Sequence, residues 1–416
     1  MLPDFFVWMC LFSLLAKLPM SFKDFMRTSR FFKLTLPISC MLGLASCDLV
    51  EKTTQSTPTL SDQEIAKLIP SRVKNTKSWA ADIARVYDEL KLVKNTQNIC
   101  TTIAIIDQES NFHANPSVAN LGNAALKAID EKLEDKLGKN LAGVFRNMLE
   151  TRPTKQDNFI KQIKAVKNEK ELDELYREIF DYFTKTYKVS GIANITKLSG
   201  QGIDERINPV TTLGSMQVHI DYAREHRRTN MSDRELRSDL YTQFGGLYYG
   251  IHRLMVYQAD YDKPLYRFAD YNSGMYSSRN AAFQQRVSSL SGTKLDIDGD
   301  LLLYKDGDPI SKKSSTELAV VKLLANAPTP LNERQIRADL RKEKSKDFEQ
   351  TKTYLAVSDL FQQKYGKKPS YAIMPQVVIS GPKLSKDYNT NWFATRVDGR
   401  YQTCMATAKR LKLVKG

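Results

Sequence analysis

Glu109 is the residue best placed for chemistry in this sequence, because it ends a strongly apolar segment. Ile99, Ile103 and Ile106 recur at spacings of four and three, which place them on one helical face, and Glu109 follows three residues later. Burial disfavours a charged carboxylate, so a glutamate beside such a face can keep a proton near neutral pH and donate it to a leaving oxygen. The pattern makes Glu109 a candidate general acid, although a solvent-exposed glutamate at a helix end gives the same pattern.

Two later segments, residues 214–217 and 269–274, combine glycine with polar and apolar side chains at predicted helix ends. Their glycines let the backbone approach a flat sugar ring without a Cβ in the way. Both segments contain groups suited to sugar binding, although core and turn residues would look the same in sequence. The candidates are Met216 and Tyr271 for apolar packing, and Ser215, Gln217 and Asn272 for hydrogen bonds to hydroxyl and acetamido groups.

Three motifs occur in a fixed order: Glu109-Ser-Asn-Phe112, Gly214-Ser-Met-Gln217 and Ala269-Asp-Tyr-Asn-Ser-Gly274. They resemble the E-S-x-F, G-x-M-Q and A-x-Y-N-x-G signatures of the soluble lytic transglycosylases, relatives of goose-type lysozyme that cleave peptidoglycan glycan strands. The resemblance covers about 85–120 and 205–290. It implies a lysozyme-like, mainly α (α+β) fold with Glu109 as catalytic residue, and it implies that Ser110 and Tyr271 position the acid or the substrate.

A second carboxylate would decide the type of reaction, because ordinary glycosidases use two. Asp107 is nearest in sequence, but helical residues two apart point in nearly opposite directions, so it cannot share a site with Glu109. The resemblance then implies that Glu109 acts as acid and then as base, cleaving the MurNAc-GlcNAc bond to give a 1,6-anhydro product without a cofactor. Asp270 stays open as a second carboxylate, which would make the protein a hydrolytic muramidase.

The chain departs from the family in the distance between the first two motifs. About 100 residues separate Glu109 from Gly214, and the amphipathic patterns at 126–137, 160–166 and 172–183 predict a helical insertion at about 119–205. An insertion there borders the groove, where it can cap one end, recognise a partner in the cell-wall machinery or block the site. A non-catalytic peptidoglycan-binding or scaffolding protein is therefore the alternative from another class.

The N-terminus has the features of a bacterial lipoprotein. Basic residues precede an apolar segment that ends in Leu44-Ala-Ser-Cys47, which resembles the lipobox whose cysteine is lipidated after cleavage. We expect 1–46 to be a signal peptide, with translation starting at Met20 or Met26, and 47–62 to be a flexible tether. The protein should face the periplasm, held in the inner or outer membrane through Cys47.

Composition and cysteine usage agree with export. The formal net charge of +15 favours anionic partners, but basic-aromatic motifs for nucleic acid do not occur. No pair of the four histidines has zinc-motif spacing, so a metal site is not expected.

Two cysteines, Cys100 and Cys404, remain once the signal peptide is removed and Cys47 is lipidated. In an oxidising compartment they can form a disulfide, and the alternative is two buried thiols. We assign 63–290 to the catalytic domain with its insertion and 291–416 to a C-terminal α+β extension.

Overall fold

The structure is a computed structural model that describes residues 59–187, 208–305, 307–379 and 388–414. All of these belong to one compact unit, residues 56–416. The predicted signal peptide 1–46, Cys47 and most of the tether 47–62 lie outside the described residues. In the part of the chain that is described, no helix is both long and apolar enough to cross a membrane.

The described chain is mainly helical, which confirms the predicted fold class at this level. Its short strands form three antiparallel pairs: β1 (Thr212–Leu213) with β2 (Val218–His219), β3 (Tyr304–Lys305) with β4 (Asp308–Pro309), and β5 (Val378–Ile379) with β6 (Tyr388–Asn389). The α-helices are α1 (Asp62–Leu68), α2 (Thr76–Glu89), α3 (Thr96–Glu109), α4 (Leu121–Thr151), α5 (Phe159–Ala165), α6 (Glu169–Tyr187), α7 (Ile220–Glu225), α8 (Asp233–Leu240), α9 (Gln243–Ile251), α10 (Pro264–Ser273), α11 (Ser277–Ser291), α12 (Ser315–Ala325), α13 (Glu333–Leu340), α14 (Lys352–Tyr365) and α15 (Thr390–Arg410).

Helix α3 is buried along most of its length. Its N-cap Asn95 accepts a hydrogen bond from the Asn98 amide at 2.8 Å, so one of the otherwise unpaired amides of the first turn is satisfied. Helix α15 packs against it, although α15 lies in the predicted C-terminal extension. Cys100 and Cys404 join the two helices through a disulfide with a Cα–Cα distance of 5.6 Å. The structure thus contains the disulfide bond that the cysteine count suggested.

The described part of the predicted insertion, residues 119–187, is mainly helical, as its patterns predicted. Helices α4, α5 and α6 fall within the predicted range of about 119–205, and α4 is interrupted at Gly138, where φ is 75° and ψ is 160°. Asp173 on α6 is buried and ion-paired with the buried Arg237 on α8 at 2.8 Å. The same carboxylate accepts a hydrogen bond from Asn208 at 2.7 Å. These buried polar contacts connect the insertion to α8 and to Asn208, on either side of the second motif in sequence.

Apolar packing divides the unit into two clusters of buried residues. One cluster combines α1 to α6, the second motif, α7 to α10 and α15. The other is built from α11 to α14, with Phe283, Leu340 and Phe348 at its centre. The C-terminal extension therefore contributes to both clusters, because its last helix returns to α3.

Candidate functional site

The three sequence motifs meet around Tyr271. Its hydroxyl donates a hydrogen bond of 2.6 Å to the carbonyl oxygen of Met216, which joins the third motif to the second. Burial raises the pKa of the Tyr271 phenol above its ordinary value; the Arg253 guanidinium opposes this rise, and the Glu109 carboxylate adds to it. Glu109 is therefore close enough to Tyr271 to disfavour ionisation of its phenol. The three motifs thus lie near one another in the structure.

Glu109 is the last residue of α3 and is half-buried. The buried Ser110 hydroxyl donates to the carbonyl of Ile106 at 3.1 Å, so it is used within the helix end. Asn111 and Phe112 then adopt left-handed backbone, with φ of 49° and 60°. Non-glycine residues seldom take this conformation, and residues that do so cluster at functional sites. The chain consequently turns away sharply just after Glu109.

The second motif forms the turn between β1 and β2. Gly214 has φ of 75°, and a Cβ there would lie 2.3 Å from the Leu240 carbonyl oxygen, so only glycine fits. Ser215 and Met216 have no exposed surface, and Met216 fills space against Gly250. Their side chains cannot contact a sugar in this conformation. This matches the core alternative for Met216, whose backbone carbonyl still supports Tyr271.

Gln217 is half-buried, and its side chain is held by the insertion. Its side-chain amide nitrogen donates to Glu169 Oε2 at 2.9 Å, and its amide oxygen accepts from Thr212 Oγ1 at 3.0 Å. Glu169 is buried at the start of α6. Sequence reasoning missed this glutamate because it lies 48 residues away in a charged stretch with no local signal. The insertion thus contributes a carboxylate to the second motif.

The carboxylate of Asp270 is part of the protein core. It is buried and accepts hydrogen bonds from two tyrosine hydroxyls, one serine hydroxyl and two backbone amides. Burial raises the pKa of Asp270, and its hydrogen bonds oppose that rise. This placement argues against Asp270 as the second catalytic carboxylate. The donors are Tyr257 at 3.1 Å, Tyr261 at 2.5 Å, the Tyr276 amide at 3.0 Å, Ser277 at 3.0 Å and the Ser278 amide at 2.7 Å.

Asn272, in the third motif, lies beside the start of the last helix. Asn272 is half-buried, and its side-chain oxygen is 3.4 Å from the Thr390 hydroxyl at the start of α15.

Asp107 is buried and ion-paired with both Arg72 and Arg400, the latter at 3.2 Å. Its arginine partners come from the α1–α2 connection and from α15. Asp107 is therefore engaged in a separate ion-pair cluster, which agrees with the expectation that it cannot share a site with Glu109.

Arg253 is a part of the site that sequence reasoning missed. It lies in a π-helical turn, His252–Val256, and donates to the Tyr271 carbonyl at 2.8 Å. Its guanidinium also lies 5.2 Å from the centre of the Tyr271 ring and 5.8 Å from that of Tyr222. A π-helical turn often marks a functional position, and this turn places a cation beside the aromatic ring that joins the motifs.

His252, the first residue of this turn, lies beside His226, with their ring centres 4.7 Å apart. The Tyr222 hydroxyl is 2.6 Å from His252 Nδ1, and the Tyr222 ring stacks on His226 at 4.2 Å. Burial, and then the neighbouring His226, lower the pKa of His252 to about 4, so its imidazole is neutral at pH 7. Within the described ranges, no group of three or more potential metal ligands occurs.

The described fold and site define a mainly helical protein with a glutamate at the end of a buried central helix and two further motifs beside it. The chain belongs to the family described as "Protein of unknown function (DUF1615)", which matches residues 72–407. The "Uncharacterized protein YaiW" of Escherichia coli (strain K12) is 34% identical over 343 residues, which cover 82% of this chain and 88% of that protein. No solved structure matches the chain. None of these matches names an activity.

Proposed function

We propose that this protein is a peptidoglycan lytic transglycosylase of the bacterial cell envelope, anchored to the inner or outer membrane through Cys47 and facing the periplasm. The observation that carries the proposal is the meeting of the three motifs: Tyr271 bonds to the Met216 carbonyl and lies within electrostatic reach of Glu109. The three motifs, in this order, resemble those of enzymes that cleave glycan strands, so a glycan strand is the proposed substrate class.

In the proposed reaction Glu109 first donates its proton to the bridging oxygen while the bond from that oxygen to C1 of MurNAc breaks. The resulting carboxylate then accepts the proton of the C6 hydroxyl, and that oxygen bonds to C1. The products are a free GlcNAc hydroxyl and a 1,6-anhydro MurNAc end, and no water is consumed. The substrate's own acetamido group assists the positive charge at C1, as the resemblance implies.

The engagement of two other carboxylates supports a mechanism with one glutamate. Asp107 is held by two arginines, and Asp270 is buried among five donors. Asp270 is enclosed in the core, and Asp107 faces another side of α3 with its two arginines, so neither is placed to activate water beside Glu109. A lysozyme-like arrangement also belongs to the proposal, in which α3 ends in the acid, the β1–β2 turn carries the second motif and α10 carries the third.

A hydrolytic muramidase is the second candidate function, because a further carboxylate, Glu169 of the insertion, reaches the second motif through Gln217. Glu169 is buried, as Asp107 and Asp270 are, so hydrolysis would require the insertion to open and admit water to it. A water molecule activated by a second carboxylate would give reducing ends instead of anhydro ends.

The products of sacculus digestion separate these functions. Residues 56–416 are incubated with purified sacculi, and the released muropeptides are identified by mass spectrometry. The proposal expects anhydro-muropeptides, lighter than the hydrolytic products by one water. Reducing ends would establish the muramidase instead. Binding to sacculi without release would indicate a peptidoglycan-binding or scaffolding protein that serves partners in the cell-wall machinery.

A further inference from the structure

A basic cavity of about 590 Å³ lies among the α1–α2 connection, α3 and α15. Ile103 and Asp107 of α3 line it, and Asp107 precedes Glu109 by two residues, so the cavity opens from a different side of α3. Cys404, one end of the disulfide, also lines it and keeps α15 fixed against α3. Two of the elements that bound the cavity, α3 and α15, are therefore joined by the disulfide.

The charge of this cavity is strongly positive. Lys67, Arg72, Arg400 and Arg410 line it, and among the described residues Asp107 is the only acidic side chain that does. The lining has a net charge of +3 once Asp107 is counted. Like charges gathered around one concave surface repel one another, and a bound anion relieves that repulsion.

Asp107 organises two of the cations without satisfying them. Arg72 and Arg400 both contact its carboxylate, Arg400 through Nε at 3.2 Å. That Nε is buried, and it has no hydrogen-bond partner among the described residues, because its geometry toward Asp107 is not that of a hydrogen bond. A guanidinium has five N–H donors, so each arginine has further donors for a ligand.

We propose that this cavity binds an anion of the phosphate class with at least two negative charges. Guanidinium groups match the oxygens of phosphate in a fork, and an ammonium group adds a point charge. The hydroxyls of Ser71, Thr403 and Thr407 also line the cavity and supply neutral donors. The volume accommodates a phosphate together with the group that carries it. This site is independent of the proposed glycan cleavage, since it uses none of the residues assigned to that reaction.

The test measures binding of inorganic pyrophosphate to residues 56–416 by isothermal titration calorimetry. The double substitution Lys67→Gln and Arg410→Gln removes the two exposed lining cations that do not pair with Asp107, and it leaves the Asp107 ion pairs with Arg72 and Arg400 intact. The matched control, Lys77→Gln with Lys409→Gln, removes the same charge from exposed positions outside the lining. We expect the cavity variant to bind about tenfold more weakly and the control to bind like the wild type.

A second arm distinguishes a free anion from a lipid headgroup. The same three proteins are sedimented with phosphatidylcholine vesicles that contain or lack phosphatidylglycerol. If only the cavity variant loses pyrophosphate binding, the ligand is a soluble phosphate. If only the cavity variant loses binding to vesicles that contain phosphatidylglycerol, the ligand is a lipid phosphate. Absence of wild-type binding in both arms, or equal loss in both variants, would overturn the proposal. The urea midpoint of each variant shows that folding is retained.

Discussion

The hydroxyl of Tyr271 donates a hydrogen bond to the carbonyl of Met216 at 2.6 Å, across 55 residues of sequence. This contact fixes the turn of the second motif against the helix of the third. Arg253 donates to the carbonyl of the same tyrosine, so both ends of Tyr271 are held. Tyr271 therefore links the second motif, the third motif and the π-helical turn of Arg253 at the candidate site.

Substitution of Tyr271 by Phe should weaken both stability and activity. The Met216 carbonyl would lose its partner in a buried place, and an unsatisfied buried acceptor costs about 1–3 kcal/mol. We expect a lower free energy of unfolding in urea by that amount and slower release of muropeptides. Tyr401→Phe is the control, because Tyr401 is buried but its hydroxyl makes no hydrogen bond within the described residues. Equal effects of the two substitutions would contradict the role of the Tyr271 hydroxyl.

Removal of the Asp173 carboxylate should uncouple the insertion from the second motif. Asp173→Ala leaves Arg237 buried without its ion partner, and breaking a buried pair in this way costs about 3–5 kcal/mol. Urea unfolding measures the loss. Asp181→Ala, on the same helix, removes a solvent-exposed pair with Arg234 and should cost less than about 1 kcal/mol. A small effect at Asp173 would show that the insertion is not docked through this pair.

The stability of the protein should carry a pH dependence from Glu343. Burial raises the pKa of Glu343 to about 7, and hydrogen bonds from Tyr304 and the Leu301 amide oppose that rise. The folded state therefore keeps a proton that the unfolded chain loses near pH 4.5. Its stabilising contribution is complete below pH 4.5 and is lost as the pH rises to about 7, a change of about 3 kcal/mol.

Glu343→Gln isolates this contribution, because glutamine has nearly the same shape but does not titrate. The free energy of unfolding is measured in urea for both proteins at a series of pH values. As the pH rises from 4.5 to about 7, the wild type should lose stability relative to the variant. A difference that stays constant from pH 4.5 to pH 7 would contradict the buried, protonated carboxyl group.

Local patterns in the sequence predicted the elements of the site well. The spacing of Ile99, Ile103 and Ile106 placed Glu109 at the end of a buried helix, because helical periodicity is a property of nearby residues. The three amphipathic patterns of the insertion likewise became α4, α5 and α6. In each case the information lies within one or two helical turns.

Long-range packing could not be predicted in the same way. The pairing of Gln217 with Glu169 and the return of α15 to α3 join segments with no shared local pattern. The burial of Met216 against Gly250 depends on how closely two backbones approach, which a single sequence does not encode visibly. Core and sugar-contacting side chains consequently looked alike until the fold was known.

The most direct test of the central claim compares the wild type with Glu109→Gln in the release of anhydro-muropeptides from sacculi, followed by mass spectrometry. Glutamine keeps the size of the side chain but can neither donate nor accept the proton of the reaction. Glu89→Gln, at the exposed end of the neighbouring helix α2, is the matched control. We predict that anhydro products disappear in Glu109→Gln and persist in Glu89→Gln. Undiminished anhydro products from Glu109→Gln would contradict the assignment of Glu109 as acid and base.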